Sequence, residues 1–129
     1  MPRAKTYRLG NLQLKIMKAL WERERAEANV SEVHEALGSA DLAYTTVATM
    51  LRKMEARGLV KHRNEGRRFL YRATVSPDAV SQGMAGDLLE RMFEGSLADM
   101  LNHLLNAREV SRDELTQLEK LIAQRKRQL

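Results

Sequence analysis

Tyr44, Thr45, Thr46 and Thr49 set one phenol and three threonine hydroxyls close together, and Arg52 and Lys53 come one helical turn later. Side chains of this kind on the first two turns of a helix can exchange hydrogen bonds with base edges in a major groove and touch a thymine methyl. Cations one turn further on meet phosphates more naturally, which position a protein without carrying sequence information. The helix is implied by Val47, Met50, Leu51 and Met54, whose spacings of three and four define one apolar face, and Gly58 supplies its left-handed stop. Threonines at such positions also serve simply to cap or solvate an ordinary helix. The segment after Gly58 favours the reading role. Leu59 and Val60 open an extended run, Asn64-Glu65-Gly66 is its expected turn, and Phe69 and Tyr71 alternate with Leu70 and Arg72 on the return. Arg63, Arg67 and Arg68 then gather at the tip as candidates for gripping phosphates or the adjacent minor groove, while Phe69 and Tyr71 are expected to anchor the strands to the helices. A helix, a stop and a basic hairpin in this order form the reading head of a winged helix.

The elements that must position this head lie upstream. A first helix is expected from Asn11 to about Arg23, with Leu12, Ile16, Ala19 and Leu20 on one face, Trp21 beside them as a core residue, and Gly10 or Asn11 as cap. Asn29 and Glu32 have the spacing of a capping box and open a short second helix with Val30, Val33 and Leu37 on its buried side, ended by Gly38. Ser39-Ala40-Asp41-Leu42 is a connection short enough for a helix-turn-helix.

Downstream, Ser76-Pro77-Asp78 combines an N-cap, a proline at the first helical position and an early acid, so a fourth helix is expected from there to Phe93 or Glu94. Gly95-Ser96 interrupts it. A fifth helix carries Leu97, Met100, Leu101, Leu104 and Leu105 to about Asn106. Ser111 and Glu114 form a second expected capping box, opening a last helix with Leu115, Leu118, Ile122 and Leu129 along one stripe. Three short helices in so few residues rarely bury that much apolar surface alone. A symmetric dimer would bury it and present two heads to a two-fold DNA site, with Met84, Leu88, Met92, Leu97, Leu101, Leu104, Leu105, Leu115, Leu118 and Ile122 as the candidate dimerisation residues. A monomer with these helices folded back on the head is the alternative. The expected fold is thus mostly α with a small β-hairpin wing: a winged helix-turn-helix domain over 1–75 and a helical dimerisation domain over 76–129.

Charge divides the chain in the same place. Of its 129 residues, 1–75 hold 15 Lys/Arg against 8 Asp/Glu, whereas 76–129 hold 7 against 9. Concentrated basicity favours a polyanionic partner for the first half, although a solvated basic face would have the same composition. With no cysteine, disulfides and thiolate metal sites are excluded. His34, His62 and His103 lack ligand spacing, and His34-Glu35 lacks the second histidine of a metalloprotease helix, so no metal and no cofactor are expected. No nucleophile elbow or phosphate-cradling glycine loop is present, and the chain reads as a non-enzyme. The basic, polar start MPRAKTYRLGN precedes no apolar run, so neither a signal peptide nor a membrane span is expected and the protein is placed in the cytoplasm. A ligand-sensing winged helix regulator, or a winged helix used for protein contacts without DNA, would share these features, since fold alone does not decide between them.

The residues resemble the penicillinase repressor family of the BlaI/MecI type, which also includes copper-responsive repressors. The resemblance runs over nearly the whole chain. It is carried by Leu9-Gly10-Asn11 leading to Ile16-Met17 and Leu20-Trp21; by Val33-His34-Glu35-Ala36-Leu37; by Tyr44-Thr45-Thr46-Val47 with Thr49; and by Gly58-Leu59-Val60 through Arg63, Gly66-Arg67, Phe69 and Tyr71. It implies a homodimeric transcriptional repressor that binds a palindromic operator through its winged helix, dimerises through its C-terminal helices, and turns Thr46 and Thr49 toward DNA. The family often has a basic residue where this chain has Ala48, so the operator is not carried over. Copper-responsive members end in a cysteine cluster that is absent here. Members that respond to β-lactams are cleaved at an Asn-Phe bond after a membrane sensor protease is triggered, so the resemblance implies such a protease as a partner; the corresponding pair here is His103-Leu104, which does not match.

Overall fold

The computed structural model describes residues 7–129; the basic start Met1–Thr6, on which the expectation of no signal peptide partly rested, lies outside the described residues. Three helices come first: α1 (Asn11–Trp21), α2 (Val30–Leu37) and α3 (Tyr44–Ala56). An antiparallel hairpin is next, β1 (Val60–Glu65) and β2 (Arg68–Ala73), then α4 (Pro77–Phe93), α5 (Leu97–Ala107) and α6 (Arg112–Arg127). The chain divides into two compact units, 7–87 of the described residues and Leu88–Leu129. That division falls inside α4, not at its start where composition suggested. The reason is Val80, which is buried in the core of the first unit, with Met84 packed against the same core. Met84 therefore separates from the other residues grouped with it as dimerisation candidates.

Each helix boundary of the first unit has a local cause. Gly10 caps α1 through its backbone, its N–H donating to Gln13 Oε1 at 3.0 Å. The helix stops at Trp21, two residues before the expected Arg23. Arg23 instead turns its Nε to the Glu27 carbonyl. Around α2 the capping box is complete: Glu32 N–H donates to Asn29 Oδ1 at 2.9 Å, and Asn29 N–H donates to Glu32 Oε1 at 3.0 Å. Gly38, at φ 62, ends α2 in the left-handed region that a side chain would strain. His34 Nε2 then donates across the helix-turn-helix turn to the Leu42 carbonyl at 2.6 Å, a direction fixed because a carbonyl can only accept. At the end of α3, Gly58 N–H bonds Glu55 O and Leu59 N–H bonds Met54 O, the paired closure of a left-handed C-terminal cap.

The core lies where the apolar faces of these helices meet the hairpin. Ile16, Met17 and Leu20 of α1, Val33 of α2, and Val47, Leu51 and Met54 of α3 are buried together with Val60 and Tyr71. Each such side chain contributes about 1.5–3 kcal/mol by leaving water. Trp21 is half-buried and donates its indole N–H to the Val75 carbonyl at 2.9 Å, tying the end of the hairpin to α1.

In the second unit Glu94 (φ 49) and Gly95 (φ 83) make a left-handed joint after α4. Ser96 caps α5 by accepting from Asp99 N–H, and Ser111 caps α6 by accepting from Glu114 N–H. Only the serine half of that expected capping box forms. Leu129 lies past the end of α6 and is exposed, so it does not extend the helix's stripe. Neither α5 nor α6 buries a single residue. No helix among the described residues is long and apolar enough to cross a membrane.

The backbone bond from Asn29, with Arg23 acting in the same direction against the opposing effect of burial, holds the Glu32 carboxyl below its ordinary 4.5. A carboxylate lowered in the folded state contributes stability that is present above its unfolded value and lost as pH falls through the folded one. Melting curves should therefore show part of the stability lost below pH 4.5, and Glu32→Gln, which keeps an acceptor but no charge, should lose less over that window. Asn29→Ala should cost about 1 kcal/mol at neutral pH. Identical acid sensitivity in Glu32→Gln and the unaltered chain would contradict the assignment.

Candidate nucleic-acid interface

The interface is built from the outward side of α3. With 3.6 residues per turn, the side opposite the buried stripe of Val47, Leu51 and Met54 carries Thr45 and Thr49 at its centre and Arg52 and Lys53 along it. All four are exposed, as are Tyr44 and Thr46. Thr46 sits toward the flank on which Met50 meets α1, where Gln13 Nε2 approaches Met50 Sδ at 3.5 Å. Sequence reasoning paired Thr46 with Thr49 as the leading readers; helix geometry puts Thr45 and Thr49 at the centre.

The register of the wing's two strands sets its turn and its faces. Val60 pairs with Ala73, His62 with Tyr71, Asn64 with Phe69 and Glu65 with Arg68, so the turn is Gly66-Arg67. Asn64 and Glu65, expected in the turn, belong to β1. Gly66 alone of the two turn residues has a positive φ, 64, as a two-residue hairpin turn with glycine first requires. Side chains alternate across the sheet, so His62, Asn64, Phe69 and Tyr71 share one face while Lys61, Arg63, Glu65, Arg68, Leu70 and Arg72 share the other.

The two aromatic residues expected to anchor the wing have different roles. Tyr71 is 2% exposed and does anchor it. Burial foremost, and then the Glu55 carboxylate, push its phenol upward, so it stays neutral. Phe69 is 45% exposed and stacks on His62 with ring centres 4.1 Å apart. His62 in turn donates from Nδ1 to the Glu55 carboxylate at 2.6 and 2.8 Å, which clamps β1 to the last turn of α3. A further strand-like contact leaves no trace in the sequence: Ala28 exchanges both backbone bonds with Tyr71, at 2.9 and 2.8 Å.

The three candidate arginines of the wing also separate. Arg63 donates from Nε to Glu27 at 2.8 Å and from Nη2 to Glu65 at 3.3 Å. It borders a groove of about 490 Å³ in which Arg23, Arg25, Arg63 and Arg68 face Glu27, Glu32, Glu35 and Glu65. A second groove, about 380 Å³, opens between the start of α3 and the wing tip. Its polar walls come from Asn29, Ser31, Tyr44, Arg67 and Arg68, with Val30 and Phe69 as apolar floor and no acidic residue. Arg67 makes no ion pair among the described residues. Ser31 was missed by sequence reasoning, although the capping box already placed it in the exposed first turn of α2. Such a groove suits an anionic oxygen flanked by hydroxyl donors and guanidinium groups. No group of three His, Asp or Glu that could hold a metal occurs among the described residues.

Comparison with known proteins agrees in sequence over almost the whole chain. The model of the penicillinase repressor family matches residues 9–124. Transcriptional regulator BlaI of Mycobacterium tuberculosis (strain ATCC 25618 / H37Rv) is 34% identical over 123 residues, covering 94% of this chain and 87% of that protein. The penicillinase repressor of Bacillus licheniformis is 24% identical over 119 residues, covering 92% of this chain and 91% of that one. A solution structure of the DNA binding domain of the repressor BlaI is similar at 25% identity and a TM-score of 0.49, over 61% of this chain and 93% of that one.

The contrast between the wing's two aromatics is testable by thermal unfolding. Tyr71→Ala should cost about 3–5 kcal/mol, the range for emptying a large buried site. Phe69→Ala should cost less than about 1.5 kcal/mol, the range of one aromatic pair. Equal losses would mean that Phe69 also anchors the wing.

Proposed function

The chain belongs to the penicillinase repressor family, and we propose that it acts as a homodimeric repressor that reads a palindromic operator through α3 and grips its backbone with the wing. Consistent with the family, it is a DNA-binding transcriptional regulator and not an enzyme. The observation that carries the finer reading is the acid-free groove of Tyr44, Ser31, Arg67 and Arg68 beside the exposed threonines of α3. A duplex whose major groove received Thr45 and Thr49 would run its phosphates past the wing tip. Thr45, Thr46 and Thr49 then read base edges, Tyr44 lies at the border between base and backbone, and Arg52, Lys53, Arg67 and Arg68 meet phosphates.

The helices of the second unit support the dimer. Met92 and Leu97 are each 68% exposed, and Leu88, Leu104, Leu115, Leu121 and Ile122 are exposed as well. Leu101, Leu105 and Leu118 are only half-buried. So many exposed apolar side chains on the end of α4, α5 and α6 call for a partner, and a second copy supplies a self-complementary one. Two copies bring two reading heads, and two-fold symmetry in the protein asks for two-fold symmetry in the site.

Selection of bound sequences from a random duplex pool tests the whole reading. The purified chain should enrich a palindrome, and Thr49→Ala should enrich a set degenerate at one position of each half-site. Enrichment of a single, non-repeated half-site would remove the dimer from the account, and no enrichment at all would remove sequence-specific DNA recognition.

A further inference from the structure

We infer that Arg63 is a positioning residue which braces the wing against the connection between α1 and α2, and that it takes no phosphate itself. This rests on the reading of the wing as a DNA grip and deepens it. Arg63 commits Nε to Glu27 and Nη2 to Glu65, so one guanidinium faces two carboxylates. Glu27 is the residue before Ala28, whose N–H and C=O both pair with Tyr71. The brace therefore closes at the point where the connection joins the sheet, on the face opposite the buried Tyr71 side chain. The connection is held from its other side too: Arg23 donates to the Glu27 carbonyl and pairs with Glu32 of the α2 capping box.

Charge decides between bracing and gripping. In the groove that Arg63 borders, four arginines meet four glutamates, and an incoming phosphate would be repelled as much as attracted. The groove at the wing tip has no acid, and Arg67 borders that groove only, whereas Arg68 borders both. A phosphate drawn to Arg63 would have to displace two carboxylates that remain beside it. The resulting assignment is a wing whose backbone contact comes first from Arg67, which borders only the acid-free groove, with Arg68 shared between the two grooves, aimed by a brace of Glu27, Arg63 and Glu65.

Binding of the full chain to its selected duplex, measured across a series of salt concentrations, separates the two roles. Each phosphate contact adds about 0.9 to the slope of log affinity against log salt. Arg67→Gln, which removes one contact from each half of the dimer, should lower that slope by about two. Arg63→Gln should weaken binding by about 2–5-fold at every salt concentration with the slope unchanged, the size expected from a lost surface ion pair. Glu27→Gln should do the same, and the double variant should lose no more than either alone. A slope lowered by Arg63→Gln, or tighter binding by Glu27→Gln through a released arginine, would overturn the inference. If the unaltered chain bound no duplex, the repressor reading would fail while the brace stayed testable. Amide hydrogen exchange from Asn64 to Phe69 should quicken in both single variants, and unchanged exchange would overturn the brace.

Discussion

A β-hairpin alone is only marginally stable in water, so a wing can aim at anything only if another element fixes it. Here the fixing starts from a single residue outside the hairpin. Ala28 exchanges both of its backbone bonds with Tyr71, turning two strands into the beginning of a third. The same Tyr71 buries its ring among the helices, in the core formed with Val47, Leu51 and Met54 of α3. Backbone pairing sets the height of the wing and ring burial sets its distance from α3. The clamp from His62 to Glu55 and the bond from Thr74 Oγ1 to the Gly58 carbonyl then fix the hairpin against the end of the helix. The groove between α3 and the wing tip exists because all of these agree.

Once the wing is fixed, its charges are sorted by position. On one face of the sheet Arg63 and Arg68 stand among Glu27, Glu32, Glu35 and Glu65, while Arg67 at the turn borders only the acid-free groove. Net charge over the first 75 residues, 15 Lys/Arg against 8 Asp/Glu, therefore understates how positive the wing tip is and overstates how positive its braced face is. Long-range attraction of a polyanion depends on the total. Contact depends on the local sign.

Much of this was legible in the sequence, for reasons that can be traced. The α2 capping box needs only two residues three apart, and Asn29 and Glu32 form it in full. The apolar spacing of α3 predicted the buried stripe, and glycines 38, 58 and 66 fell at left-handed positions. Three features were not legible. The Ala28 bridge is one residue long and has no periodicity to reveal it. Alternation along β2 gives Phe69 and Tyr71 the same face, but it does not say how far the helices reach, and they cover only Tyr71. Arg63, Arg67 and Arg68 are alike in type and close in sequence; only the register, and a glutamate thirty-six residues away from Arg63, distinguishes them.

The central claim is that bases and backbone are met by one continuous surface made of the outward side of α3 and the acid-free groove beside the wing tip. Amide chemical shifts of the isotope-labelled chain, tracked while a selected duplex is added, test it most directly. The largest changes are expected at Thr45, Thr49, Ser31, Gly66 and Arg67, with Glu27 and Arg63 nearly silent. Changes concentrated at Glu27, Arg63 and Glu65 with α3 unmoved would contradict it.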